Sequence, residues 1–264
     1  MNLLRTDGAG NPIELVSPII SMQKTEQDRT IDVDLIAAIH FADREYYDRL
    51  NTLFTRYEVL LVEMLAPKGT TLEQIAASAG KRPRKLSRVG VLATLQRGMA
   101  HALGLVNQLD AIDYSAKNMV LADMDAETLF RRFSENGEIR RFAGETLHNL
   151  IGEEEGPNEP GDGITKPELS LAGFLVSREK QRLIKRVFAV ELARSLDEGS
   201  QPFERSLIRE RNAVLLEELE RQVNKGARRI GVFYGSAHIP DIQWYLEETG
   251  YRVTGREELV AWKL

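Results

Sequence analysis

Two look-alike segments at opposite ends of the chain restrict its folds more than any other feature. One, Ala-Ala-Ile-His-Phe-Ala-Asp-Arg-Glu-Tyr-Tyr, ends at Tyr47, and the other, Gly-Ser-Ala-His-Ile-Pro-Asp-Ile-Gln-Trp-Tyr, ends at Tyr245. Aligned on their histidines, His40 matches His238 and Asp43 matches Asp241, while Tyr46 and Tyr47 match Trp244 and Tyr245. Each segment follows a hydrophobic strand-like run, Val33 to Ile39 or Ile230 to Tyr234, and leads into an amphipathic helix-like stretch. Such βα units at both ends predict an α/β fold with a mixed sheet assembled from both chain ends in two βα halves.

The N-terminal region predicts short strands at Asn2 to Thr6 and Ile13 to Ser17 around the turn Asp7 to Pro12. A strand from Thr30 to His40, a helix from Arg44 to Arg56 and a buried strand from Tyr57 to Leu65 follow. That order favours a parallel pair with a right-handed crossover. From about residue 71 to about 225 the pattern is mostly helical, read as a large insertion into a single domain spanning 1–264, and it includes helices at Gln96 to Leu105 and Thr128 to Gly137. Gly152 to Lys166 reads as a loop, and Leu169 to Leu196 and Pro202 to Lys225 as long helices. Strand character returns at Arg229 to Tyr234, Tyr251 to Thr254 and Leu259 to Lys263, with a helix at Asp241 to Thr249.

Composition excludes several classes. A formal net charge of −5 argues against a nucleic-acid surface, and Lys81 to Lys85 is too short a basic run to reverse that. The absence of cysteine rules out disulfides, thiolate catalysis and Cys-type zinc sites. No run approaches the ~18 apolar residues of a membrane span, and Met1 to Asn11 lacks a signal-peptide pattern. The expectation is a soluble, cytoplasmic protein, or an exported one if a leader has been removed; oligomeric state is not legible.

With only four histidines in the chain, the duplicated placement of His40 and His238 favours function over a mere loop hydrogen bond. In parallel sheets, functional groups gather beyond the carboxyl ends of strands. Glu63, at the end of the run Val59 to Val62, is the third candidate; it either has a partner in the crevice or emerges into solvent. Two imidazoles and a carboxylate suit a divalent metal, and equally suit acid–base chemistry without one. Gly235 allows a tight turn or close approach of a ligand, with Ala37 in the matching place before His40. Asp43 and Asp241 read as first-turn acids favoured by the helix dipole, and the aromatic pairs as packing. His101 and His148 have no counterparts and read as structural or surface residues. Gln108, Asp113 and Tyr114 are candidates either to line a pocket or to fix a loop. Arg209, Arg211 and Asn212 lie on the helix before the second histidine, and because Arg209 and Arg211 point roughly 200° apart, at most one faces the crevice.

The two histidine turns, the strand ending in Glu63 and Glu210-Arg211-Asn212 resemble the TraB/PrgY/GumN group, also called the Tiki superfamily, whose wider circle includes erythromycin esterases and ChaN haem-binding lipoproteins. Gly235-Ser-Ala-His238 matches the Gly-x-x-His motif of that group, whereas Ala37-Ala-Ile-His40 departs from it by Ala for Gly. The resemblance implies a catalytic-looking crevice between two βα halves. Some relatives are similar to metal-dependent proteases, some to esterases, and others are regulatory. The implied reading is a metal-dependent hydrolase of a peptide or small ester. His40, His238 and Glu63 would hold a divalent ion such as Mn²⁺, Co²⁺ or Zn²⁺, or Glu63 would serve as the base for bound water. Arg211 would polarise the scissile carbonyl, Asn212 would position it, and Gly235, Gln108 and Tyr114 would contact substrate. The alternatives are a non-catalytic binder of haem, a peptide or a partner protein, and a metal-free esterase in which His40 or His238 activates water.

Overall fold

The computed structural model describes residues 3–26, 28–78, 100, 103–135, 185–187, 189, 190, 193 and 202–264. Strands are β1 (Leu4–Thr6), β2 (Pro12–Glu26), β3 (Arg29–Ala38), β4 (Phe41–Ala42), β5 (Val59–Val62), β6 (Val106–Asn107), β7 (Met119–Leu121), β8 (Arg229–Gly235) and β9 (Arg252–Lys263). Helices are α1 (Arg44–Phe54), α2 (Leu72–Ser78), α3 (Gln108–Ala111), α4 (Ala126–Glu135), α5 (Pro202–Asn224) and α6 (Ile239–Glu248).

The sheet is mixed and built from both chain ends. Its order is β1-β2-β3-β8-β5-β7, with β9 pairing β2. β8, from the C-terminal part of the chain, lies between two N-terminal strands and runs parallel to both β3 and β5, while β7 runs parallel to β5. The parallel strands β3 and β5, joined through α1, are therefore not neighbours. The remaining pairings, β1 and β3 with β2 and β9 with β2, are antiparallel.

Alternation along the strands assigns the two faces. Ile36, Leu60, Val62 and Phe233 pack with Tyr46, Tyr47, Leu50 and Phe54 of α1. Val33, Leu35, Ala37, Leu61, Val232 and Tyr234 pack with Leu215 and Leu219 of α5 and with Ile239, Ile242 and Leu246 of α6. The central strands are apolar on both faces because helices cover both, as parallel sheets require. Gly226 and Gly250, at φ +101° and +97°, follow α5 and α6 in the left-handed conformation that ends a helix at little cost in glycine.

Several boundaries differ from the sequence reading. β2 does not stop at Ser17 but continues through Pro18 to Glu26. Pairing with β3 begins at Ile19, so the missing Pro18 N–H falls just outside that ladder. The two expected strands Tyr251 to Thr254 and Leu259 to Lys263 are parts of one long strand, β9 (Arg252–Lys263), whose pairing with β2 shifts register twice. The stretch read as mostly helical contains the short strands β6 and β7. His101, His148, the loop Gly152 to Lys166 and most of the expected helices Gln96 to Leu105 and Leu169 to Leu196 lie outside the described residues.

Candidate functional site

The four parallel strands each bring a residue of the site to the same edge of the sheet. His40 lies two residues past β3, Gly235 ends β8, Glu63 directly follows β5, and Asp123 lies two residues past β7. The backbone extends the sheet to this edge, since Glu63 N–H donates to Phe233 O at 3.1 Å and Ala122 N–H to Val62 O at 3.1 Å. Across it lies α5, which presents Arg211 and Asn212.

Arg211 ties the site together. Its Nε and Nη2 donate to Oδ1 and Oδ2 of Asp123 at 2.9 and 2.7 Å, a two-point grip on a carboxylate fully shielded from solvent. Nη2 also donates to Glu63 Oε1 at 2.5 Å, and Nη1 faces His238 Nε2 at 3.3 Å. A guanidinium has five N–H donors. Four are thus engaged, and the second Nη1–H has no partner among the described residues. Burial works against the Arg211 charge, but the hydrogen bonds to Asp123 and the charges of Glu63 and Asp123 outweigh it and raise its pKa.

Glu63 is only 14% exposed at its side chain. Burial alone would raise its pKa. The charges of Arg211, His238 and His40 and the Gly235 N–H bonded to Oε2 prevail, and the pKa is lowered to about 2. This close approach explains Gly235, because a Cβ there would stand 3.0 Å from Glu63 Oε2. The requirement is steric, not one of backbone angle.

His238 is the N-cap of α6 and is buried. Its Nδ1 lies 2.6 Å from Asn212 Oδ1, and Asn212 Nδ2 donates to Asp241 Oδ2 at 2.8 Å. Ionised Asp241 only accepts, so it fixes the Asn212 amide with Oδ1 toward the ring. Nδ1 must then carry the proton, which leaves the Nε2 lone pair pointing at Arg211. The permanently protonated guanidinium requires the same tautomer, so two parts of the network agree on the assignment. Burial, opposed by the Glu63 charge and helped by Arg211, lowers the His238 pKa, so the ring is neutral near pH 7. The Tyr234 ring packs edge-on against it at 5.2 Å, and Tyr234 Oη donates to Ala122 O.

The two histidines are not equivalent. In the β3–β8 ladder Gly235 lies opposite Ala38, not Ala37, so the turns are one residue out of step. His238 starts α6 directly, whereas β4 and Asp43 separate His40 from α1. His40 is exposed and makes no hydrogen bond or ion pair with Glu63, Arg211 or His238 among the described residues; its contact with the site is through its charge, felt at Glu63. Asp241 is not merely a first-turn acid, because it holds Asn212 and faces Arg209 Nε at 3.7 Å. Asp43 binds Lys185 Nζ at 2.9 Å and the Lys263 N–H at 2.8 Å, a structural tie. Gln108 and Tyr114 are buried and bonded to each other, with Gln108 Nε2 donating to Tyr114 Oη at 2.9 Å. The Gln108 N–H reaches His40 O at 2.8 Å, and Tyr114 senses the Glu63 charge, which places both residues behind the crevice. The sequence reading missed Asp123, although it follows an apolar run as Glu63 does.

A metal can be tested against this geometry. His238 Nε2 and Glu63 Oε1 are 3.7 Å apart, a gap that one ion with bonds of about 2 Å could span. In the structure, however, Arg211 faces both atoms and supplies the positive charge between them. No cluster of three or more His, Asp or Glu side chains is arranged for a metal among the described residues. The donor set therefore does not fit a resident ion while Arg211 stays in place. No helix among the described residues is long and apolar enough to cross a membrane. The chain matches no protein-family model, no curated protein and no solved structure.

Proposed function

We propose that the protein is a hydrolase of acyl compounds, peptide or ester, with His238 as general base and Arg211 as the group that stabilises the oxyanion. The observation that carries this reading is the fixed tautomer of His238, a neutral ring whose Nε2 lone pair faces Arg211 Nη1 at 3.3 Å and becomes available to water when that N–H turns toward a substrate oxygen. Water held against Nε2 would lose its proton to that nitrogen as it attacks the carbonyl carbon, and the protonated ring would return that proton to the leaving alcohol or amine as the acyl C–O or C–N bond breaks. The Nη1–H of Arg211 would meet the negative charge developing on the carbonyl oxygen. Asn212 and Asp241 hold the ring, and Asp123 holds the guanidinium. Glu63, with a pKa lowered to about 2, is a weak base. Its part is to orient Arg211 and to balance its charge. This differs from the role of metal ligand or base that the family resemblance implies for it. The resemblance to the TraB/PrgY/GumN group supports a hydrolytic reading by analogy of motifs only.

A metal-dependent form of the same reaction is the second reading. The 3.7 Å gap between His238 Nε2 and Glu63 Oε1 favours it, provided Arg211 withdraws.

The test is turnover of p-nitrophenyl acetate and of a pooled synthetic peptide library by purified protein, with and without EDTA, beside His238→Ala. Turnover that resists EDTA and disappears in the variant supports the proposal. Turnover lost to EDTA and restored by Mn²⁺ or Co²⁺ transfers the case to the metal reading. No turnover, or equal turnover in a folded His238→Ala protein, overturns both.

A further inference from the structure

On the side of Asn212 and Asp241 away from Glu63, α5 and α6 enclose an open groove of about 450 Å³. Two observations give it a chemical character. Trp244, on α6, is 60% exposed, the largest aromatic side chain left to solvent among the described residues. The charged residues lining the groove are Glu217, Glu220 and Asp241 against a single cation, Arg209. Packing does not explain Trp244, because Ile239, Ile242 and Leu246 already form the buried face of α6. Asp241 is engaged by Asn212 and Arg209, but internal pairs do not consume the other two acids. Glu217 has no hydrogen bond or ion pair among the described residues, and Glu220 meets only Tyr245 Oη at 3.4 Å.

We propose that this groove binds a basic peptide segment, with an arginine side chain laid over the Trp244 indole and its guanidinium between Glu217 and Glu220. A guanidinium is the cation best suited to this lining. It is planar, stacks on an indole face and donates to two carboxylates at once, and its weak hydration makes it easier to strip of water than an ammonium. An aliphatic or acidic segment would leave the carboxylates unpaired or repelled. Asp241 belongs both to the groove and to the hydrogen-bond chain that orients His238, so the bound segment lies directly behind the crevice. The binding itself does not depend on the protein being a hydrolase.

The chain reports on the groove through its own fluorescence. It has two tryptophans, and the other, Trp262, is completely buried. A change in emission on titration therefore reads Trp244. The probes are acetyl-Gly-Arg-Gly-amide and the same peptide with norleucine or glutamate in place of arginine. The arginine peptide should shift the emission saturably, with an affinity that falls as salt rises, and the other two should not. Glu217→Gln with Glu220→Gln should weaken binding roughly three- to tenfold. Arg209→Gln should strengthen it, because it removes the one repelling charge. Calorimetry on Trp244→Leu should show a further loss of roughly two- to fivefold. Equal binding of the norleucine peptide, no saturable binding of the arginine peptide, or weaker binding by Arg209→Gln would each overturn the proposal. Hydrolytic activity is not read in any arm, so failure here leaves the catalytic proposal standing, and failure there leaves this one.

Discussion

The Nδ1 of His238 is bonded to Asn212 Oδ1 at 2.6 Å, and that contact, together with Arg211 Nη1 facing Nε2 at 3.3 Å, sets which ring nitrogen carries the proton. Asn212 cannot enforce it alone, because an amide turned by 180° would present its NH₂ group to the ring. The carboxylate of Asp241 prevents the turn by accepting from Nδ2. The order Asp241, Asn212, His238 is thus a chain in which a charge fixes an amide and the amide fixes a tautomer.

Asp241→Asn tests that chain. The new amide can donate as well as accept, so Asn212 can reverse, and His238 can then carry its proton on Nε2, where the proposed base must be empty. Turnover should fall by about tenfold or more while substrate affinity changes little, since wrong-tautomer effects act on the reacting base. The unfolding midpoint should move only slightly. A variant with wild-type kcat would show that the tautomer is held by something else. The acid limb of the wild-type pH profile should lie below the ordinary histidine value of about 6.5, because burial lowers the His238 pKa.

Arg211→Lys probes the guanidinium. One ammonium cannot reproduce the two-point bond to Asp123 and also reach Glu63 and the front of His238. The proposed oxyanion contact is lost with them, so kcat should drop about a hundredfold with KM less affected. Arg209→Lys serves as the control. Its side chain is 74% exposed and touches the network only through Asp241 at 3.7 Å, so turnover should stay within about twofold of wild type. The reverse pattern in steady-state kinetics would move the catalytic role off Arg211.

What could be read from the sequence, and what could not, follows from how local each signal was. Gly235-Ser-Ala-His238 was legible because strand, turn and helix start are contiguous, and Glu63 because an acid abruptly ends an apolar run. Helix geometry allowed only one of Arg209 and Arg211 to face the crevice, and the family resemblance of Glu210-Arg211-Asn212, not the geometry, singled out Arg211. The meeting of both chain ends in one sheet was legible too, as a pattern of apolar strands at each terminus. The order of strands was not. Nothing local to Arg229 to Gly235 says that β8 slots between β3 and β5. Asp123 was hidden because β7 is only three residues long and sits in a stretch of helical period. Asp241 was misjudged because an acid in a first helical turn has a sufficient local explanation, and its bond to Asn212 depends on how α5 crosses α6. The likeness of the two histidine segments overstated their equivalence, since an alignment of residues cannot reveal the one-residue offset of the ladder between Ala38 and Gly235.

Asp123→Asn should prove more costly to the fold than any surface acid. The carboxylate is fully shielded and takes two of the Arg211 bonds. Removing one member of a buried ion pair strands the other, at a cost of about 3 kcal/mol, moderated here because Glu63 still holds Nη2. Urea denaturation should show the loss as a lower midpoint with an unchanged slope. Asp113→Asn, whose carboxylate bonds Ser115 at an exposed turn, should change stability far less. Equal effects for the two would mean that the Asp123–Arg211 pair contributes little.

Glu63 makes stability depend on pH in a window that can be worked out. Its folded pKa is lowered from 4.5 to about 2, so the folded state favours the ionised form more than the unfolded chain does. Stability from this preference is fully present above about pH 4.5 and is lost as pH falls through about 2. Glu63→Gln keeps the size of the side chain and has nothing to titrate. The difference in unfolding free energy between wild type and variant should therefore be constant above pH 5 and shrink steadily in more acid solution. Taking the difference cancels the other carboxylates, which both proteins share. Urea midpoints collected from pH 7 to pH 2 give the comparison. A gap that stays level across that range would mean that Glu63 has an ordinary pKa and is not gripped by Arg211 and the Gly235 N–H. A gap that widens in acid would mean that the charged form is destabilised by burial, the opposite balance of forces. Only a narrowing gap fits a carboxylate whose partners outweigh its desolvation.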